Sequence, residues 1–167
     1  YAERTGRMIL RFGEMQDEKG ELTLKNIQCS NKKKTTPLQR IIYRCKKGKN
    51  EYKTRFAVFG FRYCEVDADD FSDLGDADFT AVAVYSDMKQ TGFFDSSNSL
   101  LNRFVENTIW SAKSNFLDIP TDCPTRERHG WTGDAQIFFD TASWIFDCAA
   151  FSRKYVQDMF DWQRKDG

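Results

Sequence analysis

No run of about 18 apolar residues occurs in the sequence, so no segment reads as a transmembrane helix. The chain opens at Tyr1 without the charged-then-apolar pattern of a secretory leader, and because Tyr1 need not be the native start this leaves secretion open. The five cysteines (Cys29, Cys45, Cys64, Cys123, Cys148) are odd in number and form no CxxC pair. That spacing argues against a zinc site and against a disulfide framework. Buried free thiols are expected instead, which suits a reducing compartment and leaves cytoplasm and periplasm both open. Internal repeats and low-complexity tracts are also missing. So is any excess of charge, since 25 basic residues balance 25 acidic ones.

The charges that are present lie apart along the chain. Between Lys32 and Lys53 fall Lys32, Lys33, Lys34, Arg40, Arg44, Lys46, Lys47, Lys49 and Lys53, against the single acid Glu51. From Asp67 to Asp78 the sign reverses, with Asp67, Asp69, Asp70, Asp73, Asp76 and Asp78. Solvated turns flanking strands account for the basic run better than nucleic-acid binding, because no binding motif accompanies it. Neither a nucleic-acid nor a membrane partner is expected. Hydrophobic residues at 40% and charged residues at 30% indicate a globular chain. The aromatic share of 15% can serve a core or a sugar site equally.

The first 90 residues read as strands. Arg7 to Phe12 and Glu21 to Ile27 are short apolar runs flanking the hairpin-type turn Asp17-Glu18-Lys19-Gly20. Further strands are expected at Arg40 to Cys45, Tyr52 to Phe59, Phe61 to Val66 and Phe79 to Tyr85. In the last, Phe79, Ala81, Ala83 and Tyr85 share one face and Thr80, Val82 and Val84 the other, so it should be covered on both sides. Such a series suggests part of a β-sandwich.

After Thr91-Gly92 the period changes. Leu100, Leu101, Phe104, Val105, Ile109, Trp110 and Ala112 recur at helical steps, with Ser97 or Asn98 to cap the start and Pro120 beyond the end. A second helix is expected from near Asp134 to near Phe151, burying Ile137, Phe138, Ala142, Ile145 and Ala149. A third runs from about Arg153 to Gln163 and shows Val156, Met159 and Phe160. Helices with such apolar faces need partners that this sequence does not supply, so truncation within a larger helical domain is expected.

Between the first two helices runs a loop from Asp118 to Asp134. From Asp122 onward it holds three carboxylates (Asp122, Glu127, Asp134), two arginines (Arg126, Arg128) and Trp131. Pro120, Pro124, Gly130 and Gly133 should fix an irregular backbone. Loops on rigid helical scaffolds often carry active sites. A tryptophan face suits the apolar side of a pyranose, carboxylates accept from its hydroxyls, and arginines donate. One carboxylic acid kept protonated by a neighbouring carboxylate can give its proton to a glycosidic oxygen. A surface loop of capping acids and salt-bridged arginines has the same composition. On the residues alone both readings stand.

The segment from Asn115 to Gln136, NFLDIPTDCPTRERHGWTGDAQ, resembles the signature of bacterial α-L-rhamnosidases, glycoside hydrolase family 78. Upstream, Thr91-Gly92-Phe93-Phe94, Ser97-Asn98, Asn107, Trp110-Ser111 and Asn115 resemble the start of that family's helical barrel. Phe59-Gly60-Phe61-Arg62-Tyr63 resembles the end of its β-sandwich, and Gly13-Glu14 with Asp17 and Gly20 an earlier hairpin.

The resemblance implies a mixed fold, β then α: a partial β-sandwich (residues 1–90) followed by the first helices of an (α/α)6 barrel (residues 91–167), truncated. It implies Glu127 as general acid, with Asp122, Arg126, Trp131 and Asp134 contacting rhamnose. Some members carry one more acidic residue between arginine and glutamate. Counting back from Gly130-Trp131 puts Glu127 on the family's glutamate.

The family inverts the anomeric centre, with a base from a later part of the barrel. The implied activity is removal of terminal α-L-rhamnose from a glycoside or polysaccharide, with no metal or cofactor, and with the 167-residue piece alone inactive. Cys123 is then a packed small residue, not a nucleophile. His129, the only histidine, should contact solvent or a neighbouring acid. A carbohydrate-binding or structural fragment without catalysis, or another helical-barrel glycosidase or lyase, are the alternatives.

Overall fold

The computed structural model describes residues 1–28, 39–69 and 74–165. Cys29, Lys32, Lys33, Lys34, Asp70 and Asp73 lie outside the described residues. The chain divides into two compact units, Tyr1–Val82 with Thr125–Glu127, and Ala83–Pro124 with Arg128–Gly167. Strands come first and helices second, as expected.

In the first unit, β1 (Gly6–Gly13) is the centre of an antiparallel sheet. It is flanked by β4 (Arg40–Cys45) and β5 (Tyr63–Ala68). Period-2 alternation sets the register. Ile9 faces Ile42 and Leu10 faces Ile41 on one side, while Leu10 faces Val66 and Phe12 faces Cys64 on the other. Arg11 lies opposite Glu65 and forms an ion pair with it across the strands.

The Phe12 ring stacks on Phe59 at 4.7 Å and tilts against Phe61 at 5.0 Å. Buried Gln39 ties the edge together: its side-chain amide donates to the carbonyls of Phe12 (3.3 Å) and Gly60 (3.0 Å). A second, two-stranded sheet joins β2 (Met15–Gln16) to β3 (Leu22–Thr23). The Asp17 carboxylate closes the turn between them by accepting from the amides of Lys19 and Glu21, and Gly20 takes a left-handed φ of 81°.

Three strand expectations are corrected. Glu21 to Ile27 is strand only at Leu22–Thr23 and then becomes a 3-10 turn at Lys25–Ile27. Tyr52 to Phe59 and Phe79 to Tyr85 form no strand. Val82 and Val84 are about half exposed rather than covered on both faces.

The second unit holds α1 (Ser99–Asn115), α2 (Thr132–Ile145) and α3 (Ala149–Trp162). Asn98 caps α1, its side chain accepting from the amides of Leu100 (3.0 Å) and Leu101 (3.3 Å). The core consists of Ala112, Phe116, Ala142, Phe146, Cys148 and Phe151, with Ile109, Phe138, Phe139 and Ile145 packed around it. Phe116 ends α1 and stacks on Phe151 at 4.8 Å, while Phe138 and Phe139 meet it edge-on at 5.8 and 6.1 Å.

The second and third helices divide earlier than expected. The chain leaves α2 at Phe146, and Ala149 opens α3. Ile137, expected in the core, is 80% exposed, and Trp144 is similarly open.

The segment before α1 docks on the end of α2. Thr91 and Gly92 both donate their amides to the Ile145 carbonyl (2.9 and 3.0 Å), and Asp147 donates to Lys89 (2.9 Å). At Gly92 the backbones approach so closely that a Cβ would lie 1.8 Å from the Trp144 carbonyl oxygen. Around Gly133, in the first turn of α2, a Cβ would meet nothing within 4 Å.

The two glycines therefore separate in a stability test. Gly92→Ala should destabilise by about 1–3 kcal/mol or more, because backbone must move to admit the methyl. Gly133→Ala should be neutral or stabilise by about 0.4–1 kcal/mol. Melting temperatures of the two variants beside wild type check this, and an equal effect at both sites contradicts it.

Candidate active site

The loop between α1 and α2 is fixed at its start by the end of α1. The Thr121 amide donates to the Asn115 carbonyl at 2.9 Å, and its hydroxyl lies within 3.2 Å of both Asn115 oxygens. Pro120 is buried. Asp122 and His129 then clamp the intervening turn: the Asp122 amide donates to the His129 carbonyl (3.0 Å), and the His129 amide to the Asp122 carboxylate (2.9 Å). The Cys123 thiol donates to the other carboxylate oxygen at 3.0 Å. Arg128 reverses the chain with φ of 56°, a left-handed conformation that strains a non-glycine residue. Outside the glycines it is the only described residue with positive φ.

Burial pushes the Asp122 carboxyl up, but hydrogen bonds from the Cys123 thiol and from the His129 and Cys123 amides outweigh it. The net effect holds Asp122 below the usual carboxylate range, so the side chain is an anion.

Within the second unit, Asp122 and Trp131 are linked through His129. The His129 ring meets the Trp131 ring edge-on at 5.6 Å, and Trp131 keeps about half its surface open at the N-cap of α2. His129 thus meets an acid through its backbone and a ring through its imidazole. Asp134 lies in the first turn of α2, where the helix dipole favours a carboxylate, and is exposed. Gly133, expected to shape the loop, is already helical. Arg126 and Glu127 fall in the tripeptide that belongs to the first unit, where the Arg126 guanidinium lies 3.3 Å from the Glu127 carboxylate. Glu127 is half-buried and Arg126 exposed. Among the described residues no three His, Cys, Asp or Glu side chains converge to hold a metal ion, and no helix is long and apolar enough to cross a membrane.

Two residues at this loop escape the sequence reading, and both come from α3. The Tyr155 hydroxyl donates to the Gly130 carbonyl at 2.8 Å, and Lys154 donates to the Asp118 carboxylate at 3.0 Å. A signal for Tyr155 exists: it follows Phe151 by four residues, so the two share a face, and both are buried.

Comparison with known proteins gives one family along the whole chain. Residues 2–85 match the model of the bacterial α-L-rhamnosidase concanavalin-like domain, and residues 89–167 that of the bacterial α-L-rhamnosidase 6 hairpin glycosidase domain. An α-L-rhamnosidase of Formosa agariphila is 39% identical over 124 residues, which is 73% of this chain and 13% of the relative. The solved α-L-rhamnosidase of Dictyoglumus thermophilum superposes with a TM-score of 0.79 at 32% identity, covering 98% of this chain and 18% of that one. A Streptomyces avermitilis α-L-rhamnosidase solved with L-rhamnose gives 0.77 at 28% identity, covering 99% of this chain and 16% of that one. The chain thus spans about an eighth of the length of the curated relative from Formosa. Two domain models that match residues 2–85 and 89–167, and solved structures that cover nearly all of this chain, leave one conclusion: the chain belongs to the bacterial α-L-rhamnosidase family.

Proposed function

We propose that the protein carrying this chain is a glycoside hydrolase that removes terminal α-L-rhamnose from a glycoside or polysaccharide, and that this chain supplies the general acid. Residues 1–90 belong to its β-sandwich domain and residues 91–167 open its α/α-barrel catalytic domain. The observation that carries the reading is the loop itself. In a chain of this family, the half-buried Glu127 carboxylate lies 3.3 Å from the Arg126 guanidinium, and Arg128, next in sequence, holds a strained left-handed φ of 56°. Strain of that kind persists where the surroundings impose it, and it concentrates at functional sites.

The roles follow from the chemistry of each side chain. Glu127 donates its proton to the departing glycosidic oxygen. Arg126 orients the Glu127 carboxyl. Asp122, already an anion, accepts from a sugar hydroxyl, as does Asp134. The open face of Trp131 packs against the C–H side of the ring. The reaction inverts the anomeric centre, with a water activated by a base that other parts of the protein provide, about 6.5–9.5 Å from the acid. No cofactor enters this acid–base chemistry.

In the full-length protein, Glu127→Gln should cut kcat on rhamnosides with poor leaving groups by about 100-fold or more. Aryl rhamnosides whose phenolate departs without protonation should suffer much less. Steady-state kinetics on a leaving-group series gives the answer, and a Gln variant as fast as wild type on a natural rhamnoside removes Glu127 from its role. The first-formed anomer, followed by proton NMR, reports the stereochemistry. The 167-residue chain alone should turn over no aryl rhamnoside.

A pH dependence follows from Asp122. Its carboxyl titrates below the ordinary 3.8, so the stabilisation it gives the loop is present above that value and is lost as pH falls through the folded-state value. Melting temperature followed below about pH 5 should fall more steeply for wild type than for Asp122→Asn. Parallel curves would show that Asp122 contributes nothing to acid sensitivity.

A further inference from the structure

Loop 118–131 is held at both ends by two consecutive residues of α3. At the first end, Lys154 donates to the Asp118 carboxylate (3.0 Å) and carbonyl (3.2 Å), while Asp158, one turn on, holds the same ammonium at 2.7 Å. At the second end, the Tyr155 hydroxyl donates to the carbonyl of Gly130, the residue before Trp131. These are not equivalent anchors. Asp118 is exposed and Lys154 only partly covered, so solvent screens that pair. Tyr155 is 4% exposed, its ring set edge-on against Phe139 at 6.0 Å, so its hydroxyl has one direction in which to point. Opposite it, a Cβ on Gly130 would lie 2.7 Å from the Ile119 side chain and 3.4 Å from the Tyr155 ring, so the backbone at Gly130 lies close against both side chains.

We infer that Tyr155 is a positioning residue for the sugar-binding face of Trp131, acting through the Gly130 carbonyl, with Lys154 as the weaker anchor at the other end of the loop. The inference rests on the sugar-binding reading of Trp131. A tryptophan that packs on a sugar ring must present its face at a fixed height and tilt, and the His129 ring that meets it edge-on is itself exposed. The Gly130 peptide leads directly into Trp131 and is held by Tyr155, while on the other side the Trp131 carbonyl accepts from the amide of buried Ala135 as α2 begins. Burial, and then the negative charge of Asp134, push the Tyr155 hydroxyl up, so it stays a proton donor throughout the range in which a glycosidase works.

The test uses the full-length protein and Tyr155→Phe, which keeps the ring and deletes the hydroxyl. Loss of one neutral hydrogen bond should raise KM for an aryl α-L-rhamnoside, and the inhibition constant for free L-rhamnose, by a common factor of about three to ten. The value of kcat should fall by less than that factor. Lys154→Met should move the same quantities less. A readout independent of activity is acrylamide quenching of Trp131, isolated by subtracting a Trp131→Phe background, which should increase in Tyr155→Phe.

Unchanged KM, L-rhamnose inhibition and quenching overturn the inference. So does a variant that loses kcat and melting temperature while KM stays put, since that is a purely structural role. Failure of the underlying reading looks different. L-rhamnose would then neither inhibit nor bind wild type, and the quenching measurement would still decide whether Tyr155 holds Trp131.

Discussion

Phe116 gives up its place in α1 and puts its ring between the other two helices. Its amide completes the last helical bond to Ala112, and its carbonyl accepts from Ser86 in the segment that precedes α1. The ring stacks on Phe151 of α3 and meets Phe138 and Phe139 of α2 edge-on, an arrangement the aromatic quadrupole favours. One buried side chain therefore fixes where α1 stops, where the loop from Leu117 departs, and how α2 and α3 sit beside each other. Apart from the tripeptide assigned to the first unit, the geometry from Asp118 to Trp131 depends on that junction.

Legibility followed the physics of each signal. β4 was readable because Ile41, Tyr43 and Cys45 alternate with Arg40, Ile42 and Arg44, and in the fold the first set is the more covered. The turn Asp17 to Gly20 was readable because an aspartate that bonds its own neighbours and a glycine at positive φ need no distant partner. Phe79 to Tyr85 was misread for the complementary reason. Apolar alternation shows a segment that suits pairing, but not whether another backbone lies alongside. The division of α2 from α3 was also invisible, since no Gly or Pro punctuates Phe146-Asp147-Cys148. What breaks the helix there is a bond from the Asp147 amide to Lys89, far back along the chain.

The candidate site shows the same partition. Asp122, Arg126, Glu127, Trp131 and Asp134 were named from one contiguous signature, with roles that came from the resemblance and not from composition. The clamp between Asp122 and His129 and the left-handed backbone at Arg128 appear only in three dimensions. Tyr155 and Lys154 lie outside the signature, and nothing in the spacing of α3 marks their side chains as the ones that face the loop. A motif records side chains that meet a substrate. The residues that hold the motif still are recorded elsewhere in the chain.

Asp122 also bears on how this loop can vary over generations. Both of its carboxylate oxygens are occupied by the loop itself, one by the His129 amide and the other by the Cys123 thiol. A carboxylate has about four acceptor directions, so a ligand hydroxyl must share those oxygens with bonds already in place. Replacing the thiol at residue 123 frees one of those oxygens, whereas the bond from residue 129 comes from the backbone and survives every replacement except proline. Residue 123 is therefore a place where the acceptor strength of Asp122 can be retuned while the aspartate itself stays unaltered.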